Sequence, residues 1–195
     1  GLTANKDITG VNAFESARNP YALNLDGASW GEVHDNASID LQYPATLEIW
    51  TYQFGGQLSA NNVFMPLFDK APSSNGGGGI TLRRYSQTQL ANYGYLGIGG
   101  TFLVYSSLTY DAWNHIVAVV DTNSQKIYVN GNLVINATNA WTLSTNSQPM
   151  RIGYAPTDGV QYFYGSLALP RIYNRALTAT EVARNYNADK SKFGL

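Results

Sequence analysis

The chain has no cysteine, only two histidines, and only 13% charged residues across its 195 positions. The lack of cysteine excludes disulfides, thiolate metal sites and a cysteine nucleophile. Charge is scarce against the ~25% of an average protein. Twelve Lys and Arg against thirteen Asp and Glu leave a formal charge of -1. The basic residues are scattered, so the concentrated positive patch needed to hold a phosphate backbone is absent and nucleic acid is not an expected partner. No apolar run approaches the ~20 residues of a membrane-spanning helix, so no membrane insertion is expected. No signal-peptide pattern opens the chain. It starts at Gly1 without Met, which reads as a piece of something longer.

What the chain does have is 44% hydrophobic residues, fourteen Tyr, four Trp and nineteen Gly, with polarity supplied by Asn, Ser, Thr and Gln. That is enough apolar matter for a real core, and the length fits one β-rich domain. Residues 1–20 are polar and weakly periodic, and are expected to be an arm or first edge strand. From Tyr21 onward, short β-branched and aromatic runs alternate with turn residues. Tyr21–Leu25 stops at Asp26-Gly27, and Ala45–Tyr52 stops at Gly55-Gly56. Val63–Phe68 contains Pro66, which implies an edge strand or a bulge. Ile80–Arg84, Tyr93–Ile98 and Phe102–Tyr105 continue the series.

Ile116–Val120 is apolar at every position, the pattern of a central strand buried on both faces. Lys126–Val129, Asn130-Gly131 and Asn132–Ile135 make the clearest hairpin, because Asn-Gly accepts the positive φ angles of a tight I′ turn. Many short strands at regular spacing predict a sandwich or barrel. One helix is predicted near the end: Thr178 as N-cap, Glu181 three residues on as a capping box, and Leu177 with Val182 as a hydrophobic staple. The Ser73–Gly79 stretch lacks the Lys-Ser/Thr ending of a phosphate loop and reads as a flexible hairpin loop.

The ordered set "YALNLDGASWGEV", "ATLEIWTY", "DAWNHIVAVVD…KIYVNGNLV", "RIGY" and "FYGSLALPRIYNRALTATEV" resembles the laminin-G-like group of the concanavalin A-like lectin and glucanase superfamily. The resemblance spans about residues 21–187 and makes residues 21–195 the expected domain. It implies an all-β jelly-roll β-sandwich of two antiparallel sheets with a short C-terminal helix. It further implies ligands on the concave face or rim loops, and frequent calcium sites. The family's acidic pair on the penultimate strand is replaced here by Ala168 and Leu169, before Pro170. A hard cation needs several oxygen ligands, so Asp26 is the remaining calcium candidate, against the plainer reading that Asp26-Gly27 is only a turn. The C-terminal stretch after the helix is similar to the ends of tailed-phage virion proteins, which implies an extracellular or virion-surface setting.

Glucanases on this fold need two carboxylates facing one cleft. No such spacing occurs, Glu48 stands alone on its strand, and no catalytic activity is expected. His115 is expected to be a packed histidine that meets a backbone carbonyl, since buried polar atoms are normally paired. The functional lead is aromatic. Trp30, Tyr85, Tyr93, Tyr95, Trp141, Tyr154 and Tyr162 fall near predicted loops or strand ends, with Asn92, Gln89 and Asp158 as polar partners. Such rings stack on sugars, but they also serve as framework or as subunit interface. The expected function is lectin-like binding of carbohydrate on a host or matrix surface, from a virion or cell-surface protein. The alternative is a structural virion domain whose partners are other virion or surface proteins, in a homo-oligomer.

Overall fold

The computed structural model describes residues 3–4, 21–54, 64–73, 76–85, 93–138, 141–157, 159 and 161–195. The strands are β1 (Thr3–Ala4), β2 (Ala22–Asp26), β3 (Gly31–Val33), β4 (Ala45–Gln53) and β5 (Phe64–Lys70). They continue with β6 (Ile80–Tyr85), β7 (Gly94–Ile98), β8 (Thr101–Tyr105), β9 (Trp113–Asp121) and β10 (Ser124–Val129). The last are β11 (Asn132–Ala137), β12 (Met150–Ile152), β13 (Tyr154–Ala155), β14 (Gln161–Tyr162) and β15 (Tyr164–Tyr173). Helix α1 (Ala179–Asp189) follows, with a 3-10 turn over Lys190–Phe193.

Two antiparallel sheets stack as the predicted sandwich. One has seven strands in the order β1-β3-β12-β5-β6-β7-β8, and the other six in the order β11-β10-β9-β4-β15-β2. Alternation along each strand decides which residues meet between them. Ala45, Leu47 and Ile49 of β4 and Ile116, Ala118 and Val120 of β9 face Met65, Ile80, Leu82, Leu96, Ile98 and Ile152 of the opposite sheet. All are buried, and each large side chain is worth ~1.5–3 kcal/mol of removal from water.

The all-apolar run of β9 is explained by its second face. Val117 and Val119 pack with Tyr128, Leu177 and Val182, so the helix end covers the six-stranded sheet from outside. Local turn chemistry behaves as the sequence requires. Asn130 and Gly131 have φ of 50° and 78°, the positive values an I′ turn needs. Thr178 and Glu181 close the capping box. Pro66 lies in β5, an interior strand, and the register slips between Pro66 and Phe68; a bulge absorbs the missing N–H. Between β5 and β6, Asn146 Nδ2 donates to Gly78 O at 2.7 Å and to Lys70 O at 3.1 Å.

Beneath α1 lies a buried charge. Glu48, on the outer face of β4, is fully buried. Its Oε1 accepts from Arg171 Nη1 at 2.7 Å and lies 3.0 Å from His115 Nε2. Its Oε2 accepts from the Tyr173 hydroxyl at 2.8 Å and from Asn185 Nδ2 at 2.9 Å. A carboxylate only accepts, so His115 Nε2 carries the hydrogen in this pair. The expected backbone carbonyl is not the partner of His115: the carboxylate of the adjacent strand is, and Nδ1 is buried without a hydrogen bond.

Burial acts to raise the Glu48 pKa, but hydrogen bonds from His115 and Tyr173, the charge of His115 and the Asn185 amide outweigh it. The net result is a pKa lowered from 4.5 to about 2. A depressed folded-state value means the fold gains stability wherever the unfolded carboxylate is already ionised, and loses that gain as pH falls through the folded value. Stability is therefore expected to drop between about pH 4.5 and pH 2, by on the order of 3 kcal/mol from this group. Urea unfolding across that range checks it, and Glu48→Gln should be less stable at pH 7 and lose this part of the pH dependence.

Candidate functional site

The outer face of the seven-stranded sheet carries a cluster of polar and aromatic side chains. On β6, Ile80 and Leu82 point inward, so Thr81 and Arg83 point outward. On β12, Arg151 stands between the core residues Met150 and Ile152. With Asp69 of β5 and Glu32 of β3, these side chains form a ladder of alternating charge across neighbouring strands.

Along the ladder, Glu32 Oε2 lies 3.8 Å from Arg151 Nε, and Arg151 Nη1 lies 3.8 Å from Asp69 Oδ1. Asp69 Oδ2 accepts from Arg83 Nη2 at 3.3 Å. Arg83 also donates through Nε to Thr81 Oγ1 at 2.8 Å and through Nη1 to Gln161 Oε1 at 2.9 Å. Burial raises the Asp69 pKa; the Arg83 charge and bonds from Thr81 and Ala71 pull against it, with the net shift upward. The short β13–β14 hairpin, which carries Gln161, packs against β5. Gly153 makes that hairpin possible. Its φ is 82°, and a Cβ there would approach Leu25 Cδ1 to 2.2 Å. Phe163 N then donates to Gly153 O at 2.8 Å and closes the turn.

The hairpin brings three predicted residues together. Trp30 stacks on Tyr154 with centroids 4.6 Å apart, Tyr154 lies 4.9 Å from Tyr162, and Trp30 lies 5.8 Å from Tyr162. All three rings are half-buried, so each combines a fixed position with an open edge or face. The Tyr154 pKa is raised, first by burial and then by Tyr162, with Asp69 and Glu32 adding and Arg151 opposing. Its hydroxyl thus stays a neutral donor beside the charge ladder.

A second aromatic row lies across β5–β8. Phe64 sits 4.9 Å from Tyr85 and 5.7 Å from Tyr95, and Tyr95 stacks on the exposed Phe102 at 5.2 Å. The Arg83 guanidinium lies 5.9 Å from the Phe64 ring and 5.8 Å from the Tyr95 ring, linking this row to the ladder. Tyr95 itself is only 3% exposed and serves as backing. Tyr93 is exposed at the approach to β7, where its carbonyl accepts from Tyr85 N at 3.0 Å. Trp141 packs against the inter-sheet core, and its carbonyl accepts from the Tyr43 hydroxyl at 3.1 Å. Asn92, Gln89 and Asp158 lie outside the described residues.

Glu48, the lone acid of its strand, is sealed under α1 and has no approach to a ligand. The Asp26 Oδ1 accepts from Ala28 N at 2.9 Å and from Ser29 Oγ at 2.8 Å, which makes it a turn brace. Among the described residues no group of three His, Asp or Glu converges to hold a metal ion. Ala168 and Leu169 are apolar for a visible reason. They pack with Trp50 and Phe193 under the C-terminal 3-10 turn, and the strand bulges there with Leu169 at φ 47°.

Oxygen donors do converge elsewhere, at a residue the sequence reading passed over. The buried Lys70 Nζ donates to Asp35 Oδ1 at 2.7 Å, Asn146 O at 2.9 Å and Gln148 O at 2.6 Å. Asp40 Oδ1 lies 3.3 Å away. Two carboxylates and two carbonyls are hard-cation donors, and here the ammonium fills their centre. The ladder residues Glu32, Asp69, Arg83 and Arg151 were also missed. Their signal was a charge inside a β pattern, at Arg83 and Asp69, where a charge is rarely buried without a partner.

The chain belongs to the concanavalin A-like lectin/glucanases superfamily: the Laminin_G_3 family description matches residues 25–183. No curated protein sequence matches it. Among solved structures it is similar to domain 4 of AbnA, a GH43 extracellular arabinanase from Geobacillus stearothermophilus in complex with arabinotriose. That match has a TM-score of 0.62 and 19% identity, over 84% of this chain and 75% of that one. It is also similar to the CBM40 of a Ruminococcus gnavus IT-sialidase bound to alpha2,3 sialyllactose, at a TM-score of 0.67 and 14% identity, over 85% and 96%. A botulinum neurotoxin type C structure, described as dependent on two ganglioside molecules for cell entry, matches at a TM-score of 0.66 and 13% identity. There the overlap is 96% of this chain but only 46% of the toxin chain. At these identities the likeness shows the fold.

Lys70→Met should strand the surrounding oxygens and cost about 2 kcal/mol, within the ~1–3 kcal/mol of an unsatisfied buried group. Millimolar calcium should restore part of the melting temperature of this variant. The unsubstituted protein should melt alike in calcium and in EDTA.

Proposed function

We propose that this chain is a non-catalytic carbohydrate-recognition module that acts outside the cell, displayed on a cell-surface or virion protein. The observation that carries the reading is the Trp30–Tyr154–Tyr162 cluster set against the charge ladder. Half-buried rings offer apolar faces for the C–H side of a pyranose or furanose, while Tyr154 and the ladder edge offer hydrogen-bond partners. Solved structures of the same fold carry arabinotriose and sialyllactose, which supports a sugar ligand. Stacking on rings with a few hydrogen bonds gives weak binding at a single site. Display in several copies, by a homo-oligomer or a particle, would multiply it by ~10²–10⁴.

A second reading rests on β8. This edge strand exposes Phe102 at 52% and Val104 at 41%, an apolar surface suited to another protein. A glycan array probed with the domain multimerised on beads separates the two. Binding to a defined sugar class, reduced about tenfold by Tyr154→Ala as a lost ring contact of ~1.4 kcal/mol predicts, supports recognition. Running the array in calcium and in EDTA reports whether Asp26 contributes a cation. Silence from well-folded beads overturns the carbohydrate reading and directs the search to proteins that meet β8.

A further inference from the structure

Resting on the carbohydrate reading, the geometry points to a narrower ligand class: neutral sugars, with acidic glycans excluded. The reason is the arrangement of charge on the outer face. Glu32, Arg151, Asp69 and Arg83 alternate in sign along the ladder and sum to zero. Arg83 is engaged through all three of its nitrogens, whereas Arg151 Nη1 is buried without a hydrogen-bond partner. Arg83 is only 1% exposed and bonds Asp69, Thr81 and Gln161. Arg151 lies between Glu32 and Asp69, and its Nη2 also donates to Gln148 Oε1 at 3.1 Å.

A ligand carboxylate binds well where an arginine can offer its fork to it. To be received by Arg83 it would have to displace Asp69 and leave that acid buried beside a second negative charge. Removing one partner of a buried pair is strongly unfavourable. The more open member of the ladder at the Trp30 end is moreover the acid: the Glu32 side chain is 18% exposed against 11% for Arg151. Within this pair an approaching anion therefore meets Glu32 before Arg151, beside the exposed His34, whose Nδ1 lies 3.6 Å from Glu32 Oε1. A neutral hydroxyl faces no such opposition, because it can donate to Glu32 and accept from Tyr154, and its ring can rest on the aromatic cluster. Glu32 is thus assigned as the residue that sets ligand charge.

The test uses the domain multimerised on beads and two sets of glycans. One pairs a sialylated glycoprotein with the same glycoprotein stripped by sialidase. The other pairs neutral arabinan, galactan and xylan with polygalacturonate and heparan sulfate. Binding to neutral members at least tenfold above their acidic counterparts supports the proposal. Support is completed if Glu32→Gln, with an unchanged near-UV spectrum, narrows that ratio by raising binding to the acidic members. Preference of the unsubstituted protein for the acidic members overturns the neutral class while leaving carbohydrate recognition standing. A ratio unmoved by Glu32→Gln overturns the assignment of Glu32. Silence on every glycan overturns the carbohydrate reading itself, and the neutral class with it.

Discussion

A single ionised carboxylate under the C-terminal helix organises this sandwich. Glu48 gathers His115 from β9, Arg171 and Tyr173 from β15, and Asn185 from α1. Arg171 also reaches Asp189 at 2.6 Å, so one guanidinium ties the sheet to the helix end. The apolar residues beside this cluster would allow the helix many sliding positions. Directed bonds to one carboxylate allow few. Trp50, stacked with Phe193 at 4.3 Å, extends the same lock to the last turn of the chain.

The opposite face uses charge differently. Beneath α1 the bonds to Glu48 fix the helix against the sheet, and the carboxylate is closed off from solvent. On the seven-stranded sheet the ladder of Glu32, Arg151, Asp69 and Arg83 opens toward the edge, and rings flank it on both sides. The buried end of the ladder keeps the side chains in register, which leaves the half-buried rings as pre-positioned contact area. One sheet is thereby covered by the helix on its outer face, and the other keeps half-buried rings at its surface.

The legible parts of the sequence were those governed by neighbours along the chain. Asn130-Gly131, the Thr178–Glu181 box and the bulge at Pro66 each follow from local backbone chemistry. The burial of β9 on both faces follows from its unbroken apolar run. The site was only partly legible. Trp30, Tyr154 and Tyr162 could be singled out as aromatic, but their meeting depends on the β13–β14 hairpin, whose two-residue strands are too short to show a period. The ladder was hidden for a related reason: β3, β12 and β5 are neighbours in space but far apart in sequence. His115 was read correctly as packed, but its partner came from another strand, which no local pattern encodes.

The Lys70 cage has a consequence for how the module responds to its surroundings. A metal ion held by Asp35, Asp40 and the carbonyls of Asn146 and Gln148 would come and go with its concentration in the medium. An ammonium group carried on β5 arrives with the chain and stays. It has no dissociation constant to fall below and no competitor that can dilute it away. The segments around residues 35–40 and 146–148 are therefore set once, at folding. The same device forgoes a switch: this corner of the sandwich is always on.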